Sequence, residues 1–157
     1  MSITLRKDLN TDDPRLIRAI VEDTGFFRPD EISIAVELVE ESLAKPDEYS
    51  FLLAEDGPGP VGYACFSRIP GTSGSYEIYW LAVLKEYQQL GIGRKLLASA
   101  EEEIKHRGGG RIYISTSGTE LYRPTRAFYL KCGYEVAATL KDYYRPGDDQ
   151  LTFLKII

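Results

Sequence analysis

The stretch with the clearest chemical use is Gln88-Gln89-Leu90-Gly91-Ile92-Gly93-Arg94-Lys95. It follows an apolar, aromatic and β-branched run over 77–83, which has the composition of a mostly buried strand. After Gly91 the apolar period changes, and Leu96, Leu97, Ala100 and Ile104 fall on one helical face. A strand therefore passes through a glycine-bearing turn into a long helix. The first N–H groups of a helix lack intrahelical partners, and the aligned peptide dipoles place partial positive charge there. Gly91 and Gly93 have no Cβ, so a ligand can approach the backbone. Arg94 and Lys95 add cations where the dipole disfavours them, which calls for an anion. A phosphate group fits best. A packing role for the same Gly-x-Gly turn is the alternative.

Other chemistries are poorly represented. The turn is neither G-x-x-x-x-G-K-[ST] nor G-x-G-x-x-G, because Leu96 stands where the third glycine or alanine would fall. Cys65 and Cys132 are far apart in apolar contexts and read as thiols, and a single His106 with no Cys/His cluster leaves no metal site expected. The formal net charge of −5 argues against nucleic acid as a partner. No signal peptide or apolar run long enough to span a membrane is seen, so a cytoplasmic location without membrane attachment is expected.

The turn must be positioned by the rest of the chain. The 157 residues suggest one domain, 1–157, long enough to bury a core without staples. A first strand is expected over 2–6. Asp13-Pro14 starts a helix, with Asp13 as its cap and Gly25 as its stop. Phe26 and Phe27 follow in the connection, and Pro29-Asp30-Glu31 opens a second helix. Strands over 49–55 and 61–68 flank a Gly/Pro-rich turn and form a hairpin. The strand at 77–83, its helix and a strand over 111–116 make a parallel βαβ unit. A helix from Arg123-Pro124 ends at Gly133. Strands over 134–140 and 151–157 enclose a polar turn, 141–149. The order β-α-α-β-β-β-α-β-α-β-β describes an α/β fold layered around one mixed sheet of about seven strands flanked by about four helices.

The pattern Gln88-x-x-Gly91-x-Gly93 after a buried strand resembles the acetyl-CoA signature of the Gcn5-related N-acetyltransferases, and the element order is similar to that fold over nearly the whole chain. Ala127-Phe128-Tyr129-Leu130-Lys131-Cys132-Gly133-Tyr134 resembles the family's F-Y-x-x-x-G-[FY] segment. Glu77, ahead of Gln88 on the central strand, is similar in place to the catalytic Glu of the family's histone acetyltransferases.

The resemblance implies an acetyl-CoA-dependent N-acetyltransferase that moves acetyl directly to a primary amine, of a small molecule or a peptide or protein, in a ternary complex. It implies that Gln88 contacts the cofactor, that the backbone amides of Gln89, Leu90, Gly91, Ile92, Gly93, Arg94 and Lys95 bind the CoA pyrophosphate, and that Leu81, Ala82 and Val83 pair with the pantetheine arm. Tyr129 is implied to lie at the thioester sulfur as general acid. Glu77 is implied to take the proton of the amine, since free amines are mostly protonated at pH 7; holding a cationic substrate is its alternative role. The family's Asn seven residues before the Tyr is here Tyr122, so that cofactor contact is lost or replaced. This departure is the one feature that favours a non-catalytic acyl-CoA-binding or sensing module instead. Several of Phe26, Phe27, Tyr79, Tyr143 and Tyr144 fall where the family lines its acceptor pocket, with a core role as the alternative, and Asp142, Asp148 and Asp149 are candidates to attract a cationic amine, with a solvated turn as the alternative. Family dimers make a homodimer an expectation.

Overall fold

The computed structural model describes residues 2–157. The strands are β1 (Ile3–Arg6), β2 (Ser50–Asp56), β3 (Gly59–Arg68), β4 (Ser75–Val83), β5 (Arg111–Ser117), β6 (Glu135–Arg145) and β7 (Asp148–Ile156). The helices are α1 (Asp13–Thr24), α2 (Pro29–Ala44), α3 (Ile92–His106) and α4 (Arg123–Lys131). The seven strands form a mixed sheet in the order β1-β2-β3-β4-β5-β7-β6. This is the α/β fold expected from the sequence. The chain divides into two compact units, Met1–Ser67 with Tyr79–Glu102, and Arg68–Ile78 with Glu103–Ile157.

The first unit is built on the hairpin of β2 and β3, which pair antiparallel from Ser50↔Phe66 to Asp56↔Gly59. The period of two puts Phe51, Leu53, Tyr63 and Cys65 on one face, where they meet Ile17, Ile20 and Val21 of α1 and Ala35 and Val39 of α2. The opposite face has a close approach at Gly62. A Cβ there would stand 3.0 Å from the Ala82 carbonyl oxygen and 3.4 Å from Leu96 Cδ1. Gly25 ends α1 in the left-handed conformation, φ 74°.

Asp13 departs from expectation. It lies inside the first turn of α1, and the cap position is Asp12, which makes no side-chain cap. The fully buried Asp13 carboxylate instead accepts two hydrogen bonds from Arg6 of β1, at 2.8 and 2.9 Å, and one from the Asn10 N–H at 2.7 Å. Those bonds, with a second from Arg6 to Glu55, hold the Arg6 guanidinium far above its usual range despite its partial burial.

In the second unit β4 and β5 are parallel over Ser75–Glu77, and β7 lies antiparallel between β5 and β6. The sheet packs on Ile104, and on Tyr129, Tyr134 and Phe153, whose rings stand 5.6–6.1 Å apart by centroid. Gly109 permits a tight turn: a Cβ would fall 2.4 Å from Ile104 Cγ2 and 2.8 Å from Tyr76. The turn expected at 141–149 is mostly strand. β6 runs on to Arg145, with an irregularity after Leu140, and every β6 residue is exposed. Tyr143 and Tyr144 have strong β propensity, which outweighs the polar residues beside them.

Candidate active site

Local geometry at the start of α3 suits a phosphate. β4 ends at Val83, a short 3-10 turn covers Lys85–Tyr87, and the chain then passes through Gln89 and Gly91 at positive φ, 64° and 83°. The Gln88 side-chain amide donates to the Val83 carbonyl at 3.0 Å and so ties the turn back to the strand end. Tyr87 donates to Asp56 at 2.9 Å, which together with that carboxylate's charge holds the phenol pKa up. The first helical bond runs from the Lys95 N–H to the Gly91 carbonyl at 3.0 Å, leaving the Ile92, Gly93 and Arg94 N–H groups ahead of the ladder. No acid lies in the first turn of α3. Apart from Gly91 itself and its two chain neighbours, no described atom comes within 4 Å of where a Gly91 Cβ would be, so there is room for a ligand against the backbone. These features fit a pyrophosphate. Lys95 is otherwise engaged, since its ammonium donates to the Ile3 carbonyl at 3.0 Å.

The same unit holds Leu81, Ala82 and Val83 at the end of β4, and the aromatic candidates Phe26, Phe27 and Tyr79. Phe27 stands 5.2 Å from Trp80, and Tyr79 meets Tyr49 edge-on at 5.7 Å. Phe27 and Trp80 pack on the α1–α2 core, whereas Tyr79 keeps an exposed ring.

Glu77 and Tyr129 lie in the other unit. Glu77 sits on β4 opposite Tyr113 of β5, partly buried, and burial raises its pKa. Tyr129 is buried under Phe128, Tyr134 and Phe153, and burial, then the neighbouring Cys132, pushes its phenol well above the usual range. Tyr122 is the residue before α4, and its N–H donates to the Thr119 carbonyl at 3.1 Å. Arg126 donates to the Ser117 and Thr119 carbonyls at 2.9 and 2.6 Å. Asp148 is buried against Ser117 and Arg145, so its charge is spent inside the hairpin. Sequence reasoning missed the Ser117 and Thr119 contribution; two hydroxyls closing a strand were its only signal. Both cysteines are thiols, and no group of metal-binding side chains occurs among the described residues.

A seven-stranded mixed sheet with four helices is the fold of the GNAT acyl-CoA N-acyltransferases. A sequence model of the acetyltransferase (GNAT) family matches residues 14–134. The N-alpha-acetyltransferase RimI of Mycobacterium tuberculosis is 32% identical over 112 residues, spanning 70% of this chain and 67% of that protein. A crystal structure assigned to the GNAT acetyltransferases from Desulfovibrio desulfuricans is 39% identical, covers 99% of both chains and superposes with a TM-score of 0.96. The PaiA N-acetyltransferase of Thermoplasma acidophilum, crystallised with coenzyme A, shares the fold at 22% identity, with full coverage of both chains and a TM-score of 0.77. The chain belongs to the GNAT acetyltransferase family. It is an N-acetyltransferase with acetyl-CoA as donor.

Proposed function

We propose that this chain, acting as one catalytic domain over 1–157, transfers acetyl directly to the free α-amine of a peptide. The observation that carries it is the start of α3. Its leading amides, the positive end of the helix and the open face of Gly91 offer a pyrophosphate site in a chain of this family. The likeness to an N-alpha-acetyltransferase supports the choice of acceptor.

In this reading the amides from Gln89 to Arg94 hold the donor's pyrophosphate, the Gln88 N–H being bonded to the Lys85 carbonyl, and Leu81, Ala82 and Val83 offer strand backbone to its arm. Tyr122 takes the place of the family's Asn beside the donor. Tyr143 and Tyr144, in the unit that holds Glu77 and Tyr129, receive the acceptor. Glu77 takes the proton of the acceptor ammonium, the freed nitrogen bonds to the acetyl carbonyl carbon, the carbon–sulfur bond breaks, and the nitrogen's second proton leaves to solvent as the amide forms. Tyr129 donates a hydrogen bond to the departing sulfur. Much of the acceleration comes from holding the two reactants together. The two thiols accord with a cytoplasmic location. No described helix is long and apolar enough to cross a membrane. A homodimer belongs to the same proposal, and sedimentation tests it.

The test pairs a thermal titration with an acetylation assay. A ligand that binds only the folded state adds about 2.7 kcal/mol at 100 times its dissociation constant. Acetyl-CoA and CoA should raise the midpoint and ATP should not. An alanine-initiated peptide should then be acetylated at its amine, with sequential kinetics. Ping-pong kinetics with a trapped acetyl-enzyme would rule out direct transfer, and a non-catalytic module would bind acetyl-CoA yet acetylate no amine.

A further inference from the structure

The amides proposed to hold the pyrophosphate lie on a turn with no core of its own. Gln88, Gln89, Leu90 and Gly91 are all exposed, and Gln89 adopts a left-handed conformation, φ 64°, which is uncommon for a residue with a side chain. What holds such a turn in shape must come from outside it. At its entrance the Lys85 N–H donates to Asp23 Oδ2, in the last turn of α1, at 2.7 Å. The Tyr87 hydroxyl donates to Asp56 Oδ2, at the end of β2, at 2.9 Å. Past the glycines, the Lys95 ammonium donates to the Ile3 carbonyl of β1 at 3.0 Å.

The Tyr87 and Lys95 ties end at one place. Ile3 and Asp56 are register partners in the antiparallel ladder of β1 and β2. Tyr87 stands just before the turn, and Lys95 stands in the first turn of α3 just after it. The stretch 88–94 is therefore suspended between two anchors on the same rung of the sheet, and all of these residues belong to the first unit. The anchor points cannot part without breaking the pairing of β1 with β2. A segment ordered in advance loses less entropy when its ligand arrives. Where only a fraction of molecules holds the receptive shape, the apparent Kd rises by the inverse of that fraction.

We propose that Tyr87 and Asp56 are positioning residues for acetyl-CoA. Their hydrogen bond clasps the turn to the β1–β2 edge, so that the amides of residues 89–94 stand in place before the pyrophosphate arrives. Neither side chain touches the cofactor on this account. The inference rests on the reading above that puts the pyrophosphate at this turn.

The test measures the Kd of CoA by calorimetry and the backbone amide resonances of the turn, and neither needs an acceptor. Tyr87→Phe keeps the ring and removes the donor; it should raise the Kd about fivefold. Asp56→Ala removes the acceptor and should do the same. The double variant should lie within about twofold of either single one, because both remove one bond. Asp56→Asn keeps an oxygen that accepts from the hydroxyl, and its Kd should stay within about twofold of the parent's. In the free protein the Leu90, Gly91 and Gly93 amide resonances should move in Tyr87→Phe and stay near their parent positions in Asp56→Asn. Saturating CoA should bring parent and variant spectra together at those amides.

An unchanged Kd in Tyr87→Phe, whatever its melting temperature, would overturn the proposal, since the bond would then serve the fold alone. Losses that add in the double variant would overturn it too, as would an Asp56→Asn as weak as Asp56→Ala. Failure of the underlying reading looks different: CoA would bind the parent without moving the amides of residues 89–94, and the inference would fall with that reading.

Discussion

Replacing Glu77 by Gln separates proton removal from every other role of that side chain. A lysine-like amine titrates near 10.4, so at pH 7 freeing it is uphill by about 3.4 pKa units, or about 4.6 kcal/mol. A peptide α-amine, near 7.8, costs only about 1.1 kcal/mol. A positioned base contributes about 10²–10⁴-fold. Glu77 is suited to the task because burial raises its pKa toward the working pH. Glu77→Gln should therefore lower kcat/KM at pH 7 by about 10²-fold for a lysine-like amine and by clearly less for an α-amine. The assay is kcat/KM from pH 5 to 9.5 for both acceptors. The parent should show an acid limb above the ordinary glutamate value, and the variant should lose that limb and recover as the amine deprotonates unaided.

Stability supplies the control, with its sign fixed by burial. The folded-state pKa of Glu77 lies above its unfolded value, so the folded protein holds the extra proton between the two, and stability falls as pH rises through that window. Glu77→Gln removes this loss, and the variant should melt no lower than the parent at pH 7. Parallel pH profiles for parent and variant, or a rise in acceptor KM alone, would refute the base and leave Glu77 as a cation-binding group.

Tyr129→Phe should lower kcat by about 10²-fold, the effect of losing one donor to a developing anion, with little change in the acetyl-CoA midpoint shift; a full-rate variant would remove the phenol from the mechanism. Asp13→Ala leaves Arg6 without its main partner in a buried setting and should cost about 3 kcal/mol, read as a lower urea midpoint at unchanged slope. Gly109→Ala places a methyl against Ile104 and Tyr76 and should cost about 1–3 kcal/mol, provided α3 and β4 cannot part; an unchanged melting temperature would show that they can. Tyr63→Phe removes a fully buried hydroxyl with no hydrogen-bond partner among the described residues and should stabilise by about 1 kcal/mol; a lower melting temperature would mean the hydroxyl is satisfied.

The parts of the molecule legible in the sequence are those set by local rules. The change of period at Gly91 marks the passage from β4 to α3, and Gly25 and Gly133 stop their helices because each takes a positive φ. The placement of β7 between β5 and β6 is a non-local choice that no hydrophobic period records. Asp13 shows the same limit at closer range. Its type and place suit a cap, yet Arg6, seven residues away, holds a bidentate grip on it once β1 and α1 pack together. At the candidate site the glycine turn was legible because its chemistry belongs to the backbone. The fate of Asp148 was not, because an exposed-looking acid in a polar turn is withdrawn into the hairpin only by Ser117, far away in sequence. Tyr63 falls in a plainly apolar strand, but nothing in that pattern reveals that its hydroxyl is left without a partner.

The two proposed proton-handling groups are shifted in the same direction by the same cause, with opposite consequences. Burial raises Glu77, and a stronger carboxylate base nearer neutral pH is an advantage. Burial also raises Tyr129 above the ordinary phenol value. A departing thiol titrates near 8.5 and a phenol near 10, so full proton transfer from tyrosine to thiolate is uphill by at least about 1.5 units, or about 2 kcal/mol, before the shift is added. A phenol this weak in acidity serves better as a hydrogen-bond donor that stabilises the developing charge than as the source of the proton. The proton balance then closes differently. Glu77 takes the proton from the ammonium, the nitrogen sheds a second proton to solvent as it becomes an amide, and the released thiolate draws its own from solvent after the carbon–sulfur bond has broken. On this account Tyr129 supports the transition state throughout the pH range in which it stays neutral, so its contribution to kcat should be flat up to at least pH 9 and should not appear as a basic limb. A basic limb that vanishes in Tyr129→Phe would show instead that the tyrosine gives up its proton during turnover.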